Sequence, residues 1–313
     1  QGHSFSEVGN GRVNLTELAA KLILRGDDVV SGIEYMFGKI SGSCSLLILS
    51  KEGIYAARDR HGHFPLMLGQ KKGALGVTTE TSAFHNLGYS VVKYLSAGEV
   101  VLLNEAGIQP KREGSGITQT CSFLWIYTGF PASSYEAVNT EIVRENSGRL
   151  MSKDDDIEAD LVSGIPDSGT AHAIGYAMGS GLPFRRVLIK YTPGYGRSYT
   201  PPSQEIRNHV AKMKLVPVPE IIKGKRVVIC DDSIVRGTQL KNYTISKLKE
   251  CGVKEIHLRI ACPPLMFPCK FNFSTRSINE LAAHRAIRAI EGKDIPDVSE
   301  YIDENSAKHR KMV

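Results

Sequence analysis

The chain has 313 residues, 42% of them hydrophobic and 23% charged, with a net charge of +6. This fits one large or two ordinary soluble domains, and the mild positive balance suits anionic small molecules rather than nucleic acid. No apolar run approaches the roughly 18 residues of a membrane helix, no secretory leader pattern opens the chain, and the six cysteines (Cys44, Cys121, Cys230, Cys251, Cys262, Cys269) lack zinc-type spacing, so reduced, buried thiols in a cytoplasmic protein are expected.

In chain order, NLTELAAKLILRG predicts a helix capped by Asn14 and stopped by Gly26. SCSLLILSKEGIYAARD predicts a hairpin, Leu46 to Leu49 and Ile54 to Ala57 flanking a Lys-Glu-Gly turn. KKGALGVTTE and GEVVLLNEAGI read as further strands, so this half is expected to stack antiparallel sheets with helices outside. Asn104 to Thr120 is rich in Gly, polar and charged residues and reads as a linker. The pattern then alternates. ADLVSGIPDSG is a strand opening into a turn. TAHAIGYAMGSG is a helix with Ala171, Ile174, Ala177 and Met178 on one face and Gly181 at its end. RRVLIKY is a strand, GKRVVIC a strand apolar enough for a parallel interior, QLKNYTISKLKECG a helix ended by Gly252, and KEIHLRIACPP a strand. Alternating β and α predicts a doubly wound sheet, whose ligands bind beyond the carboxyl ends of the strands.

Two acidic stretches, IPDSG and CDDSIVRGT, fall at such ends. Asp231 and Asp232 leave the strand as paired acceptors, suited to sugar hydroxyls or to a hard cation such as Mg²⁺. Ser233, Ile234, Val235, Arg236, Gly237 and Thr238 follow, offering hydroxyls and free backbone amides at a helix start, with Gly237 allowing close approach of an anion. One stretch thus offers acceptors for a ribose diol and donors for its 5-phosphate. No GxxxxGK[ST] is present, so it is not a P-loop.

GKRVVICDDSIVRGT resembles the phosphoribosyl pyrophosphate signature of type I phosphoribosyltransferases, and its DDSIVRGT form resembles that of the glutamine phosphoribosylpyrophosphate amidotransferases. FLWIYTGFPASSYEAVN, EADLVSGIPDSGTAHAIGYAMGSGLPF, GRSYTPPSQEIRNHVAKMKL and HLRIACPPLMFPC are similar to segments of that family in the same order. So, in the first half, are NGRVNLTELAAKLI, YAARDRHGHFPLMLG, TTETSAF and AGEVVLLNEAGI. The resemblance implies an αββα sandwich of the amino-terminal-nucleophile type over residues 1–112, a type I phosphoribosyltransferase domain with a mostly parallel sheet over 119–292, and an extension over 293–313. It implies the first step of purine synthesis: ammonia from glutamine and phosphoribosyl pyrophosphate give phosphoribosylamine, pyrophosphate and glutamate.

By the same resemblance Asp167, Ser168 and Gly169 form the pyrophosphate loop. Asp231 and Asp232 contact the ribose hydroxyls, both join Ser168 at Mg²⁺, and residues 233–238 hold the 5-phosphate. Lys190, Arg197 and Lys214 are candidate cations for the diphosphate, and Thr192 to Arg207 resembles a loop that closes over substrate. Asn10 and Gly11 resemble an oxyanion-hole pair. The family's amino-terminal cysteine is missing, since the chain opens on Gln1 and its first cysteine is Cys44, so the glutaminase half-reaction is not expected of these residues. Either they join parts of a longer polypeptide or that half has lost its nucleophile. An iron–sulfur cluster occurs in many members, but Cys121 and Cys269 alone cannot hold one. Purine nucleotides are implied as feedback inhibitors, and a homotetramer as the assembly. A ligand-sensing regulator without turnover and a nucleobase-salvage transferase are the rival readings; neither nucleic acid nor membrane is an expected partner.

Overall fold

The computed structural model describes residues 5, 8–9, 12–191, 215–237, 240–269 and 277–313. The chain divides into two compact units: residues 1–124 with 129–140, and residues 125–128 with 141–313.

The first unit begins with a short pair, β1 (Val8–Gly9) and β2 (Arg12–Val13). Asn14 caps α1 (Leu15–Ile23) by accepting from the amides of Thr16 and Glu17, and the helix ends a turn before Gly26. Asp28 and Ser31 form a reciprocal capping box at the start of α2 (Val29–Lys39). β3 (Leu46–Ser50) and β4 (Gly53–Ala57) form the expected hairpin. β5 (Met67–Lys71), β6 (Ala74–Thr78), α3 (Thr81–Leu87), β7 (Ser90–Tyr94), β8 (Val100–Asn104) and β9 (Gly107–Arg112) follow. They make two antiparallel sheets, ordered β3-β4-β8-β9 and β6-β5-β7.

Strand alternation assigns the layers. Tyr55, Ala57, Val100 and Leu102 face Ile33, Met36 and Phe37 of α2. Their neighbours Ala56, Val101 and Leu103 face Leu68, Leu75 and Val77 of the second sheet. On that sheet's far side α3 lays Phe84 over Gly69 and Gly76; a Cβ at Gly69 would come within 2.6 Å of the Phe84 ring. The order helix, sheet, sheet, helix is the expected αββα sandwich. Its stretch from Asn104 to Arg112 is not linker: β8 and β9 pair from Asn104↔Gly107 back to Val100↔Arg112. The polar residues of β9 mark an outer strand of the sheet, held by ladder bonds its composition does not reveal.

In the second unit α4 (Thr140–Ser152, its first residue shared with the first unit) leads to β12 (Leu161–Gly164), α5 (Thr170–Ser180), β13 (Leu188–Lys190), β14 (Leu215–Pro217), β15 (Arg226–Asp231) and β16 (Glu255–Ile260). The labels β10 (Ser134–Tyr135) and β11 (Val138–Asn139) belong to a small hairpin of the first unit. β12, β15 and β16 form a parallel sheet in that order, extended by a bridge from Val162 to Phe184, while β13 and β14 pair separately and antiparallel.

Both faces of β15 are covered. Val227 and Ile229 pack with Leu161, Val187, Ile222 and Leu248. Val228 and Cys230 pack with Ala173 and Tyr176 of α5. That is why the strand reads as a continuous apolar run. Three expectations need correction here. Met178 is 56% exposed, because α5 buries Ala171, His172, Ala173, Gly175 and Tyr176 instead, toward the sheet and α4. The helix expected from Gln239 onward is a widened turn over Leu240–Ile245 that becomes α-helical only at Ser246–Glu250. All six cysteines are free, yet only Cys230 is buried and Cys121 is exposed, since most of the rest lie at element ends or in loops.

Candidate functional site

β12 and β15 run parallel with Gly164 opposite Cys230, so their carboxyl ends arrive side by side. The loop after β12 is tied to that neighbour. The Ile165 amide donates to the Cys230 carbonyl at 3.0 Å, the Gly169 amide donates back to the Ile165 carbonyl at 2.8 Å, and the Pro166–Asp167 peptide is cis. A Cβ on Gly169 would lie 2.2 Å from the Cys230 carbonyl oxygen, so only glycine lets the loop lie this close to the strand. The loop therefore places Ser168 beside the tip of β15, where its hydroxyl donates to Asp231 Oδ1 at 3.3 Å. Lys190, at the end of β13, forms an ion pair with Asp167.

Asp231 and Asp232 continue the strand's backbone pairing, their carbonyls accepting from the amides of Ala261 (3.0 Å) and Cys262 (2.8 Å). The Asp232 side chain is buried and accepts from Ser233 Oγ at 2.5 Å; Asp231 Oδ1 accepts from the Asp232 amide at 3.0 Å. Burial first, and the neighbouring Asp232 charge second, push the Asp231 carboxyl up to about 8. Two adjacent acidic side chains at one strand end offer a setting that favours a positively charged group. With Ser168 they supply hard oxygen donors, the set Mg²⁺ prefers. The donor chemistry fits that ion, although no three His, Cys, Asp or Glu side chains cluster as a complete ligand set among the described residues.

After Asp232 the chain turns through Ser233–Gly237, with Gly237 at φ +68°. Among the described residues nothing accepts from the backbone amides of Ser233, Ile234, Val235, Arg236 or Gly237. Its last three carbonyls are occupied. Val235 accepts from the Ala282 amide at 2.7 Å, Gly237 from the Lys241 amide at 3.0 Å, and Arg236 from the Arg285 guanidinium. Arg236 itself donates to Glu280 Oε2 through Nε at 2.9 Å and through Nη2. Successive N–H groups with no acceptor among the described residues are the kind of backbone that can cradle an anion.

The structure thus brings together Ser168, Gly169, Asp231, Asp232 and the 233–237 loop, with Asp167 and Lys190 paired at its margin. Asn10, Gly11, Arg197, Lys214 and Thr238 lie outside the described residues. Glu280, Ala282 and Arg285 were not found from sequence. Their link to the loop spans more than forty residues, and no local pattern announces it.

Fold and site together define a two-unit α/β protein with a candidate ligand site at the carboxyl end of a parallel strand. The chain is a homologue of the amidophosphoribosyltransferases over most of its length. It is 31% identical over 311 residues to the amidophosphoribosyltransferase of Methanocaldococcus jannaschii, covering 94% of this chain and 65% of that protein. It is 35% identical over 271 residues to that of Bacillus subtilis, covering 86% and 56%. Among solved structures, the B. subtilis glutamine phosphoribosylpyrophosphate amidotransferase complexed with ADP and GMP matches with a TM-score of 0.80 at 33% identity, covering 94% of this chain and 64% of that one. A structure described as the allosteric regulatory enzyme of purine biosynthesis matches with a TM-score of 0.78 at 34% identity, covering 89% and 61%. The chain spans between about half and two thirds of the length of these curated relatives. No protein-family model matches it.

Proposed function

We propose that the chain transfers a phosphoribosyl group from phosphoribosyl pyrophosphate to ammonia, giving phosphoribosylamine and pyrophosphate, as the names of its relatives suggest. The observation that carries this is the juxtaposition at the β15 tip of two adjacent carboxylates with a loop whose five amides find no acceptor among the described residues. A ribose 5-phosphate needs acceptors for its 2,3-diol and donors for its phosphate, and the distance between them is one loop. The bond from C1 to the diphosphate oxygen breaks as nitrogen attacks from the opposite face with inversion, and ammonia gives up a proton. Positive charge grows on the ribose ring meanwhile. Asp231 and Asp232 oppose that charge while orienting the ring through its hydroxyls, and the amides of 233–237 fix the 5-phosphate. Mg²⁺, held by Ser168, Asp231 and Asp232, would neutralise the departing diphosphate. Gly169 brings the loop's backbone alongside the strand, and Lys190 supplies a cation at its outer edge.

The same reading assigns Arg197, Lys214 and Thr238 to the substrate, and Asn10 and Gly11 to the oxyanion hole of a glutamine-hydrolysing half. It carries further proposals: feedback by purine nucleotides, in keeping with the ADP and GMP of the B. subtilis neighbour; a homotetramer; and a cytoplasmic location. The boundaries 1–112, 119–292 and 293–313 remain the proposed domain limits. The test is pyrophosphate release from phosphoribosyl pyrophosphate, Mg²⁺ and ammonia. Asp231→Asn and Asp232→Asn should each lower the rate by about a hundredfold or more. Full turnover in the double variant, or turnover only with a nucleobase acceptor, rules the reading out.

A further inference from the structure

Arg236 lies inside the loop assigned to the 5-phosphate, and an arginine there is naturally read as a phosphate ligand. Its surroundings say otherwise. Both Nε and Nη2 are committed to Glu280 Oε2, and its carbonyl is held by Arg285. Beside it the Val235 carbonyl accepts from Ala282, the first residue of the helix Ala282–Glu291. Because a peptide group is planar and trans, its C=O and N–H point in opposite directions. Turning the Val235 and Arg236 carbonyls toward residues 282 and 285 therefore turns the Arg236 and Gly237 amides away from that segment, and nothing among the described residues accepts from them.

The holding segment is itself fixed. Leu281 has no exposed surface, and Ala283 and Ile287 are buried in a cluster with Met266, Val298 and Tyr301. Arg288 pairs with Asp294, and the Tyr301 hydroxyl donates to Glu291 at 2.8 Å.

We propose that Arg236, Glu280 and Arg285 are positioning residues: they form a latch that orients the loop's backbone amides toward the phosphate, while the Arg236 guanidinium stays with Glu280 and does not bind the phosphate. This rests on the phosphoribosyl reading above and deepens it. The phosphate is then bound by neutral amides and hydroxyls, and what matters at 236 is the Arg236–Glu280 geometry rather than a positive charge.

The experiment is a charge exchange on the intact chain, read by calorimetric titration with ribose 5-phosphate. Arg236→Glu and Glu280→Arg should each weaken binding by about tenfold or more, the loss expected when an oriented set of amides is released. The double exchange should recover affinity to within about threefold, since it restores an ion pair across the same gap. Arg236→Lys should lose nearly as much as Arg236→Met, because an ammonium cannot make the forked contact. In turnover, the singles should raise KM for phosphoribosyl pyrophosphate and leave KM for ammonia unmoved. If Arg236 binds the phosphate directly, the double exchange is as weak as Arg236→Glu and Arg236→Lys retains most of the affinity; either result overturns the latch. So does unchanged binding in Glu280→Gln and Arg285→Met, which serve should the exchanged singles fail to fold, and so does wild type that ignores ribose 5-phosphate. Wild type that binds ribose 5-phosphate and responds to the exchange, yet releases no pyrophosphate, leaves the latch standing and removes the reaction.

Discussion

His172 has no exposed surface, and its Nε2 lies 3.5 Å from the Ile126 carbonyl. Burial holds it below the ordinary 6.5, outweighing the Ile126 carbonyl, which favours the proton; the Arg144 charge adds to the depression, while Asp232 and the Arg144 backbone oppose it. The folded chain thus keeps this ring neutral where the unfolded chain protonates it. Stability is unaffected above the unfolded value and is lost as pH falls below about 6.5, at up to about 1.4 kcal/mol per pH unit until the folded value is reached. Urea midpoints at pH 7.5 and 5.5 should converge toward those of His172→Asn at the acid end; parallel curves would show that the ring carries its proton in the fold. A second residue-scale strain lies in the hairpin β10–β11. Glu136 and Ala137 form its two-residue turn with φ of 50° and 61°. Glu136 is held by an ion pair at 2.7 Å to Arg58, which is fully buried, but Ala137 has no such return for a left-handed conformation. Ala137→Gly should raise stability by about 1 kcal/mol, read as a higher urea midpoint at unchanged slope.

At the scale of elements, α4 and α5 cross with their backbones almost touching. A Cβ on Gly148 would stand 2.0 Å from the His172 carbonyl oxygen, and one on Gly175 only 1.8 Å from that of Glu145. α5 begins where the Asp167–Gly169 loop ends, so the crossing also sets where that loop meets β15. Gly148→Ala or Gly175→Ala should cost about 3 kcal/mol by forcing the helices apart and should raise KM for phosphoribosyl pyrophosphate as well. Wild-type stability in either variant would mean the helices are not this close. These contacts also show what a sequence reveals. β15 with its acidic tip was legible because a buried apolar run and the residues leaving it are contiguous. The β3–β4 hairpin was legible from a polar turn between two short apolar runs. β9 was not, because a polar outer strand takes its conformation from β8 and from nothing in its own composition. Met178 was misplaced on α5 because helical spacing fixes which residues share a face but not which face is covered. The loop 233–237 was found and its support was missed: Glu280 and Arg285 stand 44 and 49 residues away from Arg236.

Over the whole molecule, charge is distributed unevenly between the two units. The first holds 12 Lys and Arg against 12 Asp and Glu; the second, with the candidate site, holds 27 against 21 and so carries the entire surplus of +6. The proposed substrate bears a phosphate and a diphosphate, while the site's own side chains at the β15 tip are acidic and its phosphate loop consists of neutral donors. Attraction over distance must then come from the unit's surplus of cations rather than from the residues that finally touch the ligand. Such attraction acts through solvent and is screened, over about 10 Å at 0.1 M salt and about 3 Å at 1 M, whereas short-range hydrogen bonds from the loop amides are less affected. Raising KCl from 0.05 to 0.5 M, with ammonium held fixed, should therefore raise KM for phosphoribosyl pyrophosphate by about threefold or more through slower capture, with kcat nearly constant. Sucrose at matched osmolality should have no comparable effect. A KM that does not respond to KCl would place all of the recognition in short-range contacts and leave the positive surplus of the second unit without a part in binding.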